Sequence, residues 1–415
     1  MPIRARLLFR SVVLIGALLA AGLAGAPATA APPDQITFDG RGWGHGRGMG
    51  QWGAYGYAVD RNWTGTMILD RFYAGTHTST TATNPRQRVG LLGRTGQELI
   101  VYNQLGRLRV SSDHYAGYRY AFRVQRVDNP RFRVFTGSTC SGPWREWGTL
   151  KTVAEIRIKP AANNNDPRAM LQRCGSTGTR YYRGDLLAVH DGGTMQTVND
   201  VDTENLVRSV IAREVSPSWY DAGGGRGARA VRAQAVAARS YVEAGDGRFA
   251  PWATTCDTTQ CQLYQGYGTR NTGSATITKV EDPRTDAAVE QTPRQVRRHP
   301  NGMIARTEFS SSTGGWTAGI TFPVRPDDGD QTAANPNHTW SATVARTTIE
   351  ARFDARQGTD VGTYEGIDIL DRNGYGVFGG RVLSMRVRFT GVDVTLTGDE
   401  ARYVLGLKSN WFAVT

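Results

Sequence analysis

Between Gly40 and Gly56 the chain places eight glycines in seventeen residues. The rest of that run is mostly large or functional: Trp43, His45, Met49, Gln51, Trp52 and Tyr55. Glycine opens positive φ and lets a neighbour approach the backbone closely. Aromatic faces set between such glycines suit the flat faces of sugar rings. A flexible linker would carry serine and charge where this run carries tryptophan and histidine. The segment therefore reads as the lining of a groove. His45 has two readings, a hydrogen-bonded structural residue or a group left accessible by its glycine neighbours.

Residues 1–30 have the organisation of a secretory signal. Arg4, Arg6 and Arg10 form a charged start, 11–23 is apolar, and Ala28-Thr29-Ala30 is a small-residue cleavage site. A membrane anchor is the less favoured alternative. The apolar stretch is short for a span of about 20 residues and runs straight into the cleavage site. The expectation is a secreted, extracellular or wall-associated protein that meets a membrane only through an uncleaved signal. Loss of the signal removes three arginines and no acid, lowering the formal charge from +12 to +9. That basicity is almost all arginine. It reads either as a solvated surface or as attraction to an anionic wall polymer. Nucleic acid is not an expected partner of an exported chain.

Four cysteines, an even number, favour disulfides in such a compartment. Proximity suggests Cys140–Cys174 and Cys256–Cys261, although four cysteines allow three connectivities. Zinc at Cys256/Cys261 is the disfavoured alternative, because no histidine or third cysteine lies close in sequence. No cofactor or metal is expected.

Residues 66–73 fit a short helix and 79–87 a loop. Runs at 89–92, 98–102, 118–127, 131–135, 153–158 and 181–189 alternate apolar and polar residues between turn signals, as half-buried antiparallel strands do. Residues 161–167 read as loop. From Thr203 to Val215, Leu206, Val207, Val210 and Ile211 recur at helical spacing, with Asp202 or Thr203 as cap and Pro217 as stop. Residues 228–244 predict a second, alanine-rich helix. Residues 283–300 read as an exposed excursion, and 382–389, 392–396 and 411–414 as closing strands. The fold class is α+β, mostly antiparallel, with the helix pair over about 203–244 flanking a substrate groove. The expected organisation is 1–30 signal, 31–84 glycine-rich segment packing on the main domain, 85–200 β-rich accessory region and 201–415 main domain.

Glu214 is the leading candidate for chemistry. Leu206, Val210 and Glu214 fall at i, i+4 and i+8, on one helix face. The carboxyl thus ends a stripe destined for the core, where burial raises its pKa and the helix dipole pushes the same way. An acid that stays protonated near neutrality is what glycosidic cleavage needs. The competing reading pairs Glu214 with Arg213 or Arg239. Ser310-Ser311-Ser312-Thr313-Gly314-Gly315 presents hydroxyls before a Gly-Gly turn, either to a ligand or as a plain polar turn. No Gly-x-Ser-x-Gly frame accompanies it. The 256–264 loop, closed by a disulfide, would hold Asp257 and Gln262 rigidly or serve only as a staple.

Four blocks resemble the sporulation stage II protein D / LytB family of wall-remodelling proteins. They are 204–219, which holds Ala-Arg-Glu214-Val-Ser-Pro; 230–241, which holds Ala-Gln234-Ala-Val-Ala-Ala-Arg239-Ser240-Tyr241; the 256–264 loop; and 309–316. Gly-His45-Gly-Arg-Gly-Met-Gly-Gln51 is a fifth, specific signature. The resemblance implies a lytic transglycosylase acting on peptidoglycan glycan strands, with Glu214 at the family's catalytic position. A non-catalytic wall-binding protein that enhances a separate amidase is the alternative. On this reading His45, Gly46, Gln51, Trp52, Gln234, Arg239, Ser240, Tyr241, Asp257, Gln262, Tyr264, Ser311, Ser312, Thr313 and Gly314 are candidate substrate-binding residues. Two departures stand out. Many members carry the Gly-His-Gly segment near the C-terminus, and some bind zinc through a histidine where this chain has Gln260.

Overall fold

The computed structural model describes residues 33–110, 117–148, 150–161, 165–245 and 249–415. The signal expectation and part of the 161–167 loop lie outside them. The described residues form seven helices: α1 Gln51–Val59, α2 Gly65–Phe72, α3 Thr203–Glu214, α4 Ala228–Glu243, α5 Pro283–Glu290, α6 Arg346–Gln357 and α7 Gly398–Leu405. None is long and apolar enough to cross a membrane. With mostly antiparallel sheets around them, the class is α+β, as the sequence implies.

The α3–α4 pair forms for the reasons its sequence gives. The Asp202 side chain accepts the Asn205 N–H at the start of α3, and Leu206, Val207, Val210 and Ile211 are buried. Val215 leaves helical geometry, and Pro217 opens the turn that follows. In α4, alanines are buried on two faces, so the helix packs closely on both sides. One face joins a core with Val101, Phe122, Ile158 and Leu186; the other packs on Tyr57, Ile68 and Phe72 of α1 and α2.

Two large sheets build the first core. One runs through Arg86–Gly90, Thr194–Asp202, Asp185–Asp191, Glu155–Pro160 and Leu108–Val110, with Thr255–Cys256 added in parallel at its edge. The other includes Ala121–Asp128, Leu99–Tyr102, Leu171–Gly175, Gly178–Tyr182 and Gly268–Asn271. Strands from beyond residue 250 thus complete both sheets, and pairing crosses the boundary expected at 200. A third unit closes on itself. Gln35–Arg41 lies between Thr339–Ala345 and Phe412–Val414, over a core with Phe38, Phe353, Phe389 and Phe412. The glycine-rich run, early in sequence, is therefore anchored beside the last strand of the chain.

Several local expectations are corrected. Gln51–Val59 is helical inside the glycine-rich run, where no helix was expected. The 79–87 loop contains the end of strand His77–Thr80 and the start of Arg86–Gly90. The 181–189 run is two strands in different sheets, broken by Gly184 at φ +73°. The excursion at 283–300 is α5 plus strand Gln295–Arg298, and Thr285, Ala288, Val289 and Val296 are buried. The apolar residues there are one short run, Ala287-Ala288-Val289, and a lone Val296 among polar and basic residues, so no periodic pattern announces the elements.

Candidate active site

Helix α3 delivers Glu214 at its last turn, half-buried. Its Oε1 accepts the Leu263 N–H at 2.8 Å, and Oε2 accepts from the Gln51 side-chain amide at 3.3 Å. Burial raises the carboxyl's pKa, while those two donors pull it back without cancelling the rise. Among the described residues no arginine is bonded to Glu214, so the pairing with Arg213 or Arg239 does not form; Arg239 pairs with Glu204 at 2.8 Å instead.

Gln51, 5% exposed, is the first residue of α1. It reaches Glu214 because the glycine-rich run is laced to the serine turn. Met49–Gly50 pairs in parallel with Phe309–Ser310, Trp43 bridges Ser312, and the Trp52 N–H donates to the Ser311 carbonyl at 3.0 Å. Glycine is required along this path. A Cβ on Gly46 (φ +70°) would sit 2.2 Å from Arg381 Nη2, and one on Gly53 would sit 2.3 Å from both carboxyl oxygens of Asp327. Trp52, Tyr55 and Trp219 cluster beside Gln51, with the two indoles 4.6 Å apart. Such a cluster presents flat apolar faces for ligand stacking.

His45 is a neutral acceptor. Its Nδ1 takes the Arg47 N–H at 2.9 Å. Burial, helped by Arg47, Arg402 and Arg381, lowers its pKa to about 3. In the serine turn, the side chains at 312 and 313 serve the protein itself. Ser312 Oγ donates to Asp330 at 2.8 Å, and the Thr313 and Gly314 N–H groups donate to the same carboxylate at 3.1 and 3.0 Å. Thr313 Oγ1 donates to Asp327 at 2.7 Å. Ser312 and Thr313 are wholly buried, and the half-buried Ser311 is the hydroxyl of the three nearest solvent.

The structure thus brings His45, Gly46, Gln51, Trp52 and 311–314 to one region, with Glu214 joined to it through Gln51. It places others elsewhere. Ser240 Oγ donates to the Val236 carbonyl and accepts the Arg297 N–H, so like Arg239 it ties down α4. Asp257 accepts the Leu92 N–H at 3.0 Å, Gln262 donates to the Ala238 carbonyl at 3.1 Å, and the buried Tyr264 hydroxyl bonds Asn199. These groups hold the 256–264 loop in place, and that loop supplies the Leu263 N–H to Glu214. Gln234 is buried, and its amide finds no partner among the described residues. Tyr241 faces a separate cavity. The sequence reading missed Trp219 and Tyr55 as site residues, and missed the anchors Asp327, Asp330, His338 and Arg381. Trp219 stood at the end of a quoted block; the Asp-Asp-Gly-Asp run at 327–330 carries no spacing that would link it to Ser312.

Disulfides join Cys140 to Cys174 and Cys256 to Cys261, which leaves no thiolate at either pair. Among the described residues, no group of three or more His, Cys, Asp or Glu side chains comes together to hold a metal.

Residues 191–299, which contain α3, Glu214, α4 and the disulfide loop, match the family described as SpoIID, stage II sporulation protein. Over this span the chain carries a SpoIID-family domain. Gln51 and the serine turn lie outside the span that matches. Over 154 residues, 35% of the chain, the protein is 27% identical to the amidase enhancer of Bacillus subtilis (strain 168). Over 143 residues it is 30% identical to an uncharacterized protein of Brachyspira hyodysenteriae. The matches span 18% and 33% of those relatives' own lengths. No solved structure matches the chain.

Proposed function

We propose that this protein is an exported lytic transglycosylase that cleaves peptidoglycan glycan strands with Glu214 as general acid and then base. The observation that carries the reading is the Glu214 carboxyl itself, raised in pKa by burial and held by the Leu263 N–H and the Gln51 amide. Protonated Glu214 gives its proton to the bridging oxygen after N-acetylmuramic acid, and the C–O bond breaks toward an oxocarbenium-like state. The resulting carboxylate takes the proton of the sugar's 6-hydroxyl as that oxygen attacks the anomeric carbon. The product is a 1,6-anhydro end. An attached nucleophile has a high effective concentration, so one carboxyl does the work of the usual pair. The Gln51 amide suits both states, donating to the carboxylate or, turned over, accepting the acid proton.

A second reading, a non-catalytic wall-binding protein that enhances a separate amidase, is favoured by the name of the Bacillus subtilis relative. Mass spectrometry of glycan strands incubated with the protein and with its Glu214→Gln variant separates the two. Anhydro ends from the wild type alone support the transglycosylase. Intact strands bound by both proteins, with faster cleavage by an added amidase, support the enhancer.

A further inference from the structure

The sheet of the third unit carries an open cleft of about 510 Å³. Its floor comes from the antiparallel pair Gln35–Arg41 and Thr339–Ala345, in which Asp39 lies opposite Ser341 and Arg41 opposite Thr339. Directly opposed residues share one face of a sheet, so these four side chains stand together. Gly40 and Trp340 are opposed at the register position between them, and the indole crosses Gly40 so closely that a Cβ there would meet it at 2.1 Å. Phe378 forms a wall of the cleft. The cleft lies outside residues 191–299, and none of its lining residues is Glu214 or one of the two donors to it. We propose that this cleft binds a neutral sugar unit of a glycan chain, with the ring stacked on Phe378 and its hydroxyls bonded to Asp39 and Arg41.

Three observations support that chemistry. First, the floor presents one acid and one base, each with bonding capacity to spare. Among the described residues Asp39 is in no ion pair, and its carboxylate accepts only a long bond, 3.4 Å, from the Thr415 hydroxyl. Arg41 gives Nη1 to His338 Nε2 at 2.9 Å, and the rest of its fork bonds no described residue. Behind Arg41, His338 bonds the buried Asp330, so no surplus of positive charge faces the cleft. Such a floor does not select an ion. It suits groups that donate and accept at once, as sugar hydroxyls do. The carboxylate accepts, the guanidinium donates, and the Thr339 and Ser341 hydroxyls do either.

Second, Phe378 is displayed at a cost. Its side chain is 44% exposed, and its backbone sits at φ +58°, an unfavourable region for a bulky residue. The loop around it is braced. The Gly374 N–H donates to the Gly379 carbonyl and the Gly380 N–H to the Val377 carbonyl, both at 3.0 Å, and Trp411 Nε1 donates to the Val377 carbonyl at 2.9 Å. Core packing gives no reason to hold a phenyl ring there in water. Stacking on the apolar face of a pyranose does. Third, Arg41 runs on through Gly42 to Trp43, which bridges Ser312, so the cleft adjoins the serine turn.

The test is isothermal titration of the Glu214→Gln protein, chosen so that no probe is cut. The probes are the β-1,4-linked tetramer of N-acetylglucosamine, maltotetraose and glycerol phosphate. The first probe rests on the wall reading above; the cleft itself asks only for a neutral sugar, which maltotetraose tests separately. We expect one or both sugars to bind and glycerol phosphate not to. Asp39→Ala and Phe378→Gly should each weaken binding about tenfold, the effect of losing one good hydrogen-bonding or stacking partner. Arg41 is left in place because it also bonds His338. Glycine suits the positive φ at 378, so Phe378→Gly should hold or raise the melting temperature while binding falls. The sugar that binds more tightly tells whether a wall strand or another glucan is the source. If the wild type makes no anhydro ends yet these variants lose the sugar, the transglycosylase reading fails and the cleft stands. The proposal is overturned if neither sugar binds, if glycerol phosphate binds as tightly as the sugars, or if either folded variant binds as its parent does.

Discussion

Glu214 and Asp330 are both carboxyls withdrawn from water, and their settings differ in kind. Glu214 is half-buried and takes one backbone N–H and one side-chain amide. Asp330 is wholly buried and receives the Ser312 hydroxyl, the Thr313 and Gly314 N–H groups and His338 Nδ1. A carboxyl that receives so many donors serves as an anchor for the turn around it. One with few donors and a raised pKa keeps a proton to give. Between them stands Asp327, fully buried and raised in pKa by burial and then by Asp330, its carboxyl pressed against Gly50 and Gly53 of the α1 entry. The difference teaches that the acid network shapes the wall carrying Gln51, while the sparsely bonded acid is the one we propose for the chemistry.

The contrast can be broken at several points. The largest effect is expected at Glu214. Glu214→Gln should cut formation of anhydro ends by about 10³-fold, within the range for losing a general acid–base group, while the unfolding midpoint stays near wild type. Asp330→Ala should act oppositely. It strands four donors and should lower stability by about 3 kcal/mol in urea unfolding, taking activity down only through the fold. Equal stability losses from the two variants would erase the distinction.

Gly53→Ala tests the seam between the two regions. Its new methyl would meet the Asp327 oxygens at 2.3 Å, so a stability loss of about 2 kcal/mol is expected from overpacking. The smallest effect is at Gln51. Gln51→Ala should lower the rate by about tenfold, equivalent to about 1.4 kcal/mol. It should also shift the pH profile. Gln51 favours the Glu214 carboxylate, so its loss raises that pKa further, and the fall in rate on raising pH should begin at a higher pH. A profile that stays put would show that the 3.3 Å contact does not tune the acid.

The α3–α4 pair and the place of Glu214 were legible because helical periodicity, a capping aspartate and a stopping proline agree there. α1 was not legible. Gly53 and Gly56 are poor helix formers. Both are glycine because Asp327 and the Gly329 carbonyl pack where a Cβ would be. Arg239 and Ser240 drew attention as polar groups on an alanine helix. The fold uses them to bond Glu204 and Arg297.

Patterns that repeat within one element belong to the sequence: the apolar stripe, its terminal glutamate, the disulfide pairs close along the chain, and a glycine run built for close approach. Which remote segments meet belongs to the tertiary structure. Residue 51 reaches 214, 312 reaches 330, and the N-terminal strand Gln35–Arg41 lies beside the last one. Spacing along a chain records only neighbours within a turn or a strand. Contacts across hundreds of residues are set by how whole faces bury together, and no local pattern encodes them.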